Sequence, residues 1–524
     1  MKFGTDLRWV QADDLGWAVQ NGTLNFNGQY TGNSMADFLL GLPSYAHIAQ
    51  RGLGNYNYGL RWGEFSFFAQ DDIKLTPQLT VNLGLRYELV QFPREVHNEF
   101  DNWDFKTMTM VFAGKTMAER VLATPKNNFE PRTGFAYSPT WLKKAVIRGG
   151  FAIMHGNFRQ YESGLQHFQP PYVDESFLYN DTPIPSFTTT TLFPVPVTNL
   201  AGADLTQVTI NYLRDKGLPT YYEYNFNIQR ELPHNVLLQV GYVGTHGVNL
   251  PNRYDANQAS TFDPNHPRTI AQRVPYPTLG FVSANASSSF SNYNALDLHI
   301  ERRFSNGFAL IASYSWLKDM GIRTYDNYTV FYEDNVRRNY GPSYNAHHAV
   351  ISYIYALPFG PGRPVLGSAH GAVKYIVGGW QFNGITTINS GTYLSTSSDV
   401  NNGVGSRAGN EADATGQPVG LSRGQTPYHW FNTAAFADPP FTRFGNAGEG
   451  VILGPGFVNF DISFFKNFDF TEIKRLQFRW EMFNGFNHVN LGNPNTNVSD
   501  KVHFGVINSA SAARIIQAGL KLYF

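Results

Sequence analysis

The sequence contains no cysteine, and this absence excludes several kinds of chemistry. Without thiols the chain cannot form disulfides, bind a metal through thiolates or use a cysteine nucleophile. It also lacks any apolar stretch approaching the roughly 18 residues that a membrane-spanning helix needs. The first six residues lack the apolar core of a secretion signal. If the protein works outside the inner membrane, we therefore expect its natural beginning to lie further upstream.

Charged residues are also scarce. Asp, Glu, Lys and Arg supply 15% of the 524 residues, whereas about a quarter is usual in soluble proteins. The 40 basic side chains balance the 40 acidic ones, so no long-range field would attract nucleic acid, and we predict no such partner. Aromatic residues reach 15%. That density suits girdles at a lipid–water boundary, although soluble all-β proteins are aromatic-rich too.

The clearest pattern lies in residues 64–89. From Gln78 to Leu89 the odd positions are apolar and the even positions are polar or small. This is the period of a β-strand whose two faces meet different solvents. A similar run, 64–75, precedes it, and the Thr76-Pro77 pair between them suits a tight turn. The stretch therefore predicts a β-hairpin.

The same alternation predicts about sixteen strands along the chain. Three of them are weak, at 3–11, 23–30 and 45–51. The stronger ones are expected at about 64–75, 79–89, 131–137, 144–154, 222–229, 236–242, 296–300, 308–316, 348–357, 375–388, 458–464, 476–482 and 513–524.

Connection lengths from residue 64 onward go short, long, short, long without exception. The long connections fill about 91–129, 155–220, 244–291, 319–346, 392–456 and 489–511. Outer-membrane barrels place short turns in the periplasm and long loops outside the cell, whereas a soluble sandwich gives no reason for such alternation. We predict an all-β protein, an antiparallel up-and-down transmembrane β-barrel with short periplasmic turns and long extracellular loops.

The end of the chain also fits such a barrel. Its last strand follows a long outer loop, so it should run inward and end in the periplasm. Its apolar face is formed by Ile516, Ala518, Leu520, Leu522 and Phe524. We predict that this face is the signal that outer-membrane barrels present to their assembly machinery, which, with outer-membrane lipid, would be a partner of the chain.

Several runs of sequence resemble one family. They are Phe67-Phe68-Ala69-Gln70-Asp71-Asp72-Ile73-Lys74-Leu75-Thr76-Pro77, Asn82-Leu83-Gly84-Leu85-Arg86-Tyr87-Glu88, Val146-Ile147-Arg148-Gly149-Gly150-Phe151, Tyr242-Val243-Gly244-Thr245-His246-Gly247, Ser291-Asn292-Tyr293-Asn294-Ala295-Leu296, Trp430-Phe431-Asn432-Thr433-Ala434-Ala435-Phe436 and Phe478-Arg479-Trp480-Glu481-Met482-Phe483-Asn484. Together they resemble TonB-dependent receptors, and most closely the Oar-like branch, whose members carry a carboxypeptidase-regulatory-like domain.

The resemblance implies an outer-membrane receptor of a Gram-negative bacterium that takes up a solute, here unidentified. Its members have a regulatory-like domain, a plug domain that gates the pore, and a barrel of 22 strands. With about sixteen strands and no plug, residues 1–524 resemble the C-terminal part of such a barrel. The TonB system would then act only through N-terminal parts that this sequence lacks.

The polar face of the strands would line the solute path if the apolar face contacts lipid. The residues predicted to face this lumen are Arg86, Glu88, Asn225, Gln229, Glu301, Arg479 and Glu481. No catalytic residue, cofactor or metal site is predicted.

Two patterns could indicate other chemistry. His347 and His348 are adjacent in a predicted strand, so their side chains should diverge and not share a metal. The loop 399–405 has calcium-loop composition but lacks the EF-hand register. H-E-x-x-H does not occur, and no spacing of Ser and His residues singles out a catalytic triad, so we predict that the chain is not an enzyme.

Two alternatives to the transporter remain open. The chain could be a surface adhesin or structural barrel that binds partners through its loops and moves no solute. It could also be a soluble extracellular β protein that binds carbohydrate. Outer-membrane fractionation separates the second alternative from the others, and an uptake assay separates the first.

Overall fold

The computed structural model describes most of the chain. The described residues are 1–15, 22–54, 57–157, 164–179, 185, 187–191, 197–201, 203–206, 208–213, 217–322, 340–342, 344–400, 410–421, 423–440, 443–471 and 473–524.

The described residues are mainly β-strands. In chain order the strands are β1 (Lys2–Leu15), β2 (Thr23–Asn25), β3 (Tyr45–Arg51), β4 (Asn57–Thr76), β5 (Leu79–Val90), β6 (Arg94–Glu95), β7 (Asp101–Asp104), β8 (Thr109–Phe112), β9 (Phe129–Tyr137), β10 (Ala145–His155), β11 (Val173–Tyr179), β12 (Ile210–Leu213), β13 (Thr220–Leu232), β14 (Val236–Asp255), β15 (Val282–Ser305), β16 (Phe308–Ile322), β17 (Tyr340–Pro342), β18 (His347–Ala356), β19 (Trp380–Asn389), β20 (Tyr393–Leu394), β21 (Asp413–Ala414), β22 (Phe436–Ala437), β23 (Ile452–Leu453), β24 (Phe457–Asp469), β25 (Arg475–Phe483) and β26 (Ile515–Tyr523). The helices are α1 (Ser34–Leu40), α2 (Ile270–Arg273) and α3 (Gly371–Val377), and single 3-10 turns lie at Leu165–His167, Pro233–Asn235 and Thr433–Ala435.

Seventeen strands form one large sheet, which is the wall of the structure. Fourteen of them are long, and each pairs antiparallel with the next along the wall. They are β1, β4, β5, β9, β10, β13, β14, β15, β16, β18, β19, β24, β25 and β26. Within the described residues no pairing joins β26 to β1, so the described wall is not closed between its last and first strands.

The hairpin of β4 and β5 shows how alternation builds two unlike faces. Phe67 lies opposite Tyr87, and on the other face Ser66 lies opposite Glu88. Because directly opposed residues point to the same side of a sheet, each face keeps its character across the strands. We call them the apolar face and the polar face. On the apolar face, Phe67 and Leu83 remain about half exposed, as expected for side chains that meet lipid.

Two of the three weak strand predictions do not belong to the wall. The segment 3–11 is confirmed as part of β1, which pairs along its whole length with β4. The segments 23–30 and 45–51 instead supply β2 and β3, which form a separate three-stranded sheet with β11. The large sheet has seventeen strands, close to the predicted number of about sixteen, but these two segments are not among them. Alternation alone cannot tell a wall strand from a strand in a loop.

The prediction of a strand over 375–388 is wrong at its start. Residues 371–377 form helix α3, and strand pairing begins only at Trp380, opposite Lys466. The connection between β18 and β19 is consequently long, and it breaks the expected alternation of short and long connections. Short apolar runs such as Tyr375-Ile376-Val377 occur in strands and in helices, so periodicity cannot assign them.

Several strands extend much further than the sequence predicts. β14 has 20 residues and β15 has 24, whereas a membrane-spanning strand needs about 9–11. Their far ends occupy much of the segment 244–291 that was predicted to be a loop. These ends are rich in Asn, Ser and Gly, so they carry no apolar alternation that could have revealed them.

The long connections are not structureless, and they contribute to several apolar clusters, two of which contain seven buried residues each. The first cap cluster contains Trp103, Met110, Leu205, Val208, Ile210, Leu279 and Val282. Its members come from three different connections, those after β5, β10 and β14. The second cap cluster contains Ala412, Phe431, Ala435, Phe436, Ala447, Ile452 and Val498. It joins the connection after β19, which also holds β20 to β23, to the connection after β25.

The two faces of β5 predict unequal tolerance of charge. Leu83 lies on the apolar face, whereas Asn82 lies on the polar face and donates through Nδ2 to Asp72 Oδ1 at 2.6 Å. An arginine facing lipid near the bilayer midplane costs about 2–4 kcal/mol. We expect Leu83→Arg to reduce strongly the amount of folded protein in the outer membrane and Asn82→Arg to reduce it little, as measured by membrane fractionation and heat-modifiable gel mobility. Equal amounts for the two variants would contradict the assignment of faces.

Candidate functional site

A buried glutamate lies at the centre of the polar face where β5, β9 and β10 meet. The Glu130 side chain is only 3% exposed. Arg132 Nη2 donates to its Oε2 at 2.9 Å, and the backbone N–H of His155 donates to its Oε1 at 2.7 Å. Arg86 Nε lies 3.9 Å from Oε2. Because a buried carboxylate is stable only when it is paired and hydrogen-bonded, these contacts fix Glu130 in one place.

The ionic contacts extend from Glu130 toward β1. Arg86 Nε donates to Glu88 Oε1 at 2.6 Å, and Asn157 Nδ2 donates to Glu64 Oε1 at 2.8 Å. These groups surround a recess of about 180 Å³. The charged recess is lined by Asp6, Arg8, Glu64, Arg86, Glu88 and His155. The recess contains both acidic and basic side chains, so it can accept hydrogen bonds from a ligand and donate hydrogen bonds to it.

A trough floored by glycines lies beside the charged recess on the same face. Its volume is about 330 Å³, and Gly84, Gly134 and Gly150 lie on its floor on three successive wall strands. A Cβ added at Gly84 would meet its nearest atoms at 3.4–3.9 Å, which is ordinary contact. The glycine trough is therefore open space that side chains do not fill. Polar side chains border it: Gln70, Asp72, Asn82, Arg132, Glu223 and Asn225.

The residues predicted to face the lumen are spread over the polar face and do not form one site. Arg86 and Glu88 line the charged recess, and Asn225 borders the glycine trough. Gln229 accepts from Arg148 Nη1 at 2.6 Å. Among the described residues, Glu301 makes only distant ionic contacts, 3.7 Å to Arg303 Nε and 4.0 Å to His299 Nε2.

Arg479 and Glu481 lie on β25, close to the end of the wall. Arg479 Nε donates to Gln477 Oε1 at 2.7 Å, and its guanidinium carbon lies 4.7 Å from the centre of the Phe465 ring. Glu481 Oε2 accepts from Gln517 Nε2 at 2.7 Å. Each side chain therefore has a local partner of its own. Their role in lining a solute path stays a prediction.

The central residue of the site, Glu130, was missed because the predicted strand began at Pro131. The strand β9 begins at Phe129, and Glu130 lies opposite Arg86 on β5. The signal that could have found it is parity, since Glu130 and Arg132 continue one alternating face across the proline. The glycine trough also went unnoticed, because a glycine in a strand carries no polarity.

The residues of the predicted assembly signal are placed together on the apolar face of β26. Ile516, Ala518, Leu520 and Leu522 lie opposite Met482, Trp480, Phe478 and Leu476 of β25. Phe524 follows the last strand residue, Tyr523, and is almost fully exposed. Their recognition by the assembly machinery stays a prediction.

Buried polar groups also occur in the long connections that pack together beyond the wall. Gln169 Nε2 donates to Oδ1 of the buried Asp101, while Oδ2 has no hydrogen-bond partner in the described part of the chain. Burial raises the pKa of Asp101 well above its usual range. Burial also raises the pKa of Tyr172 to about 12, with Asp101, Glu99 and Glu95 adding to the effect.

The other sequence patterns show no shared site. His347 Nδ1 lies 2.8 Å from the Tyr314 hydroxyl, whereas His348 Nδ1 contacts Asn389 on the polar face. Most of the loop 399–405 lies outside the described residues. Over the described ranges, no group of His, Asp and Glu side chains has the geometry of a metal site. In those ranges no helix is long and apolar enough to span a membrane.

The contacts of Glu130 predict a large stability effect. Glu130→Gln keeps the shape but removes the charge that binds Arg132 and Arg86, and should cost about 1–3 kcal/mol. We expect the folded protein to convert to the unfolded gel form at a clearly lower temperature. Glu301→Gln is the matched control, because Glu301 has only distant ionic contacts. An equal shift in both variants would refute a special role for Glu130.

Asp101 predicts a pH dependence in the same region. Its raised folded-state pKa means that the folded state binds the proton more tightly, so stability is lost as pH rises from about 4 toward that pKa. Asparagine does not ionise, so the Asp101→Asn variant does not lose this stability as the pH rises. We therefore expect the ratio of its resistance to limited proteolysis to that of the natural protein to increase from pH 5 to pH 8.

The control is Asp104→Asn. Hydrogen bonds from the Lys106 N–H and the Thr107 hydroxyl lower the pKa of Asp104, so the stability that it contributes is lost only at acidic pH. Its effect on proteolysis should not change between pH 5 and 8. A pH-independent effect of Asp101→Asn would contradict the burial argument.

A family model described as "Outer membrane beta barrel domain" matches residues 1–517. A search of curated proteins finds no match.

Among solved structures, the chain is similar to the FrpB iron transporter from Neisseria meningitidis (F5-1 variant), with 10% identity and a TM-score of 0.43, covering 99% of this chain and 53% of that one. It is also similar to the outer membrane transporter YddB from Escherichia coli, with 9% identity and a TM-score of 0.41, covering 92% and 52%. For the siderophore receptor PiuA from Acinetobacter baumannii the identity is 11% and the TM-score 0.39, covering 89% and 44%. The chain thus spans about half the length of these structures.

Proposed function

This chain belongs to the outer membrane β-barrel domain family, and we propose that it forms the wall of a receptor that imports a polar solute. The family match confirms the predicted antiparallel barrel and its location in the bacterial outer membrane, where lipid surrounds it. The family is one of membrane barrels, in agreement with the prediction that the chain is not an enzyme. The solute and the route of import are part of the proposal.

The observation that carries the proposal is the polar face between β4 and β13. With the apolar face against lipid, this polar face turns toward the lumen. It holds two open spaces next to each other, the charged recess and the glycine trough. Their polar groups are held by partners, as with Glu130. Small-molecule sites commonly combine open space with a few fixed polar groups.

The packed connections supply the outer part of this receptor in the proposal. Outer-membrane barrels carry their long loops on the extracellular side, so the first and second cap clusters would lie outside the cell. Loops that are fixed by a core can present a defined surface to a solute. Capture would occur there, and passage would follow along the polar face.

The TonB-dependent part of the proposal rests on the sequence resemblance. In lipid every backbone N–H and C=O must be paired, so a membrane wall must close. Since no described pairing joins β26 to β1, we infer that further strands complete the barrel, up to the 22 that the resemblance implies. Residues 1–524 would then be its C-terminal part. A plug and the TonB system would act through other parts of the receptor.

An uptake experiment tests this function even though the solute is unidentified. Cells carrying the natural gene, cells lacking it, and natural cells treated with an uncoupler are grown in yeast-extract medium, and mass spectrometry follows the loss of each compound from the medium. We expect at least one polar compound to be removed only by energised cells that carry the gene. Identical depletion in all three cultures would favour an adhesin or structural barrel instead.

Two matched glycine variants then test the path. Gly84→Gln places a side chain in the glycine trough, whereas Gly519→Gln adds the same side chain on β26, where no atom of the described residues lies within 4 Å of the new Cβ. We expect Gly84→Gln to slow uptake about tenfold or more at an unchanged amount of folded receptor, and Gly519→Gln to have little effect. Equal uptake by both variants would exclude the glycine trough from the path.

A further inference from the structure

The connection between β18 and β19 differs from the other turns at this end of the wall. It runs from 357 to 379 and contains helix α3, whereas β4 and β5 are joined by only two residues. Six of the seven residues of α3 are exposed, and Ile376 and Val373 are 69% and 51% exposed. In a water-soluble protein, such exposed apolar side chains on a short helix would contribute little to stability.

Two side chains hold α3 against the apolar face. Trp380 Nε1 donates to the carbonyl oxygen of Ile376 at 2.9 Å, and Lys466 Nζ donates to the carbonyl oxygen of Gly378. Trp380 and Lys466 lie opposite each other, on the face that Phe382 and Phe464 continue. The C-terminal end of α3 is therefore attached to the lipid-facing side of the barrel and not to its lumen.

The depth of this attachment is given by its place on the strands. Trp380 is the first residue of β19, and Lys466 lies three residues before the end of β24, next to a short turn. Short turns mark the periplasmic rim of an outer-membrane barrel. The Lys466 ammonium also lies 5.5 Å from the Trp380 ring centre and 5.0 Å from that of Phe468, which is typical of side chains at a membrane interface.

The charge of the connection favours one kind of partner. Between 357 and 379 the charged residues are Arg363 and Lys374, with His370 as a third group that can carry positive charge, and there is no Asp or Glu. Basic residues next to exposed apolar ones are characteristic of elements that lie in the headgroup region of a membrane.

We propose that α3 and its flanking residues lie in the periplasmic leaflet of the outer membrane and bind phospholipids there. Ile376 and Val373 enter the acyl region, and Arg363 and Lys374 contact the lipid phosphates. This element fixes the height of the barrel in the bilayer at the rim opposite the caps. The proposal goes beyond the import function, because it would hold for a barrel that moves no solute.

Site-directed spin labelling tests the proposal, and residues 1–524 contain no native cysteine that would compete for the label. The full-length protein with Ile376→Cys, Val373→Cys or Thr471→Cys is reconstituted in vesicles of phosphatidylethanolamine and phosphatidylglycerol at high lipid-to-protein ratio. Thr471 is exposed in the short turn after β24 and serves as the control at the same rim. Collision rates with oxygen and with a water-soluble nickel chelate are measured for each label, after heat-modifiable mobility has confirmed folding.

Labels at 376 and 373 should collide with oxygen several-fold more often than with nickel, and the label at 471 should show the reverse. Nickel access at 376 equal to that at 471 would overturn the proposal, because it places α3 in water. Protection from nickel that disappears as lipid is increased at constant protein would also overturn it, because a second copy would then be the partner. The variant Arg363→Gln/Lys374→Gln should raise nickel access at 376, and an unchanged value would remove the phosphate contacts from the proposal.

Discussion

The wall depends on one constraint, which is that a backbone in lipid must satisfy its own hydrogen bonds. Water cannot reach an unpaired N–H or C=O in the bilayer, so neighbouring strands must pair along their whole membrane-spanning length. Once the backbone hydrogen bonds are formed in this way, the polarity of each side chain can match the environment that it faces. The apolar face of β5 and the polar face that holds Arg86 and Glu88 are two results of one ladder with β4. The alternation of apolar and polar residues in the sequence results from this difference between the two faces.

Outside the membrane the same chain follows the rules of soluble proteins. Water can satisfy exposed backbone groups there, so strands shorten to two or three residues, as in β20 and β23. Stability then comes from apolar side chains brought from distant parts of the chain, for example Trp103, Ile210 and Val282 in the first cap cluster. Buried polar groups become possible where local donors exist. Glu95 is one case, since it accepts from the backbone N–H groups of Gly59, His97 and Glu99.

This difference explains what could be predicted from the sequence. Membrane strands carry a two-residue period, so the sequence predicts for each residue of 79–89, 222–229 and 476–482 which face of the sheet its side chain lies on. The packed connections have no such period, and their pairings depend on contacts between residues more than a hundred positions apart, as between Asn102 and Leu213. The prediction for helix α3 failed for a third reason. A short apolar run occurs in strands as well as in helices, and only its surroundings in the fold decide between them.

The site was predictable only in part, because a side chain's polarity can be read from the sequence but its neighbours cannot. Arg86 was recognised as polar-facing, but its partner Glu130 depends on the register between β5 and β9. That register places Glu130 opposite Arg86, with Arg86 Nε 3.9 Å from Glu130 Oε2. Glu130 is only 3% exposed and has contacts from β5, β9 and β10, whereas Glu301 has only distant ionic contacts among the described residues. Groups that are already fixed lose less conformational entropy when they bind a ligand, so in the proposed receptor discrimination between solutes should reside in the sector from β4 to β13. The other described strands would serve mainly to continue the wall.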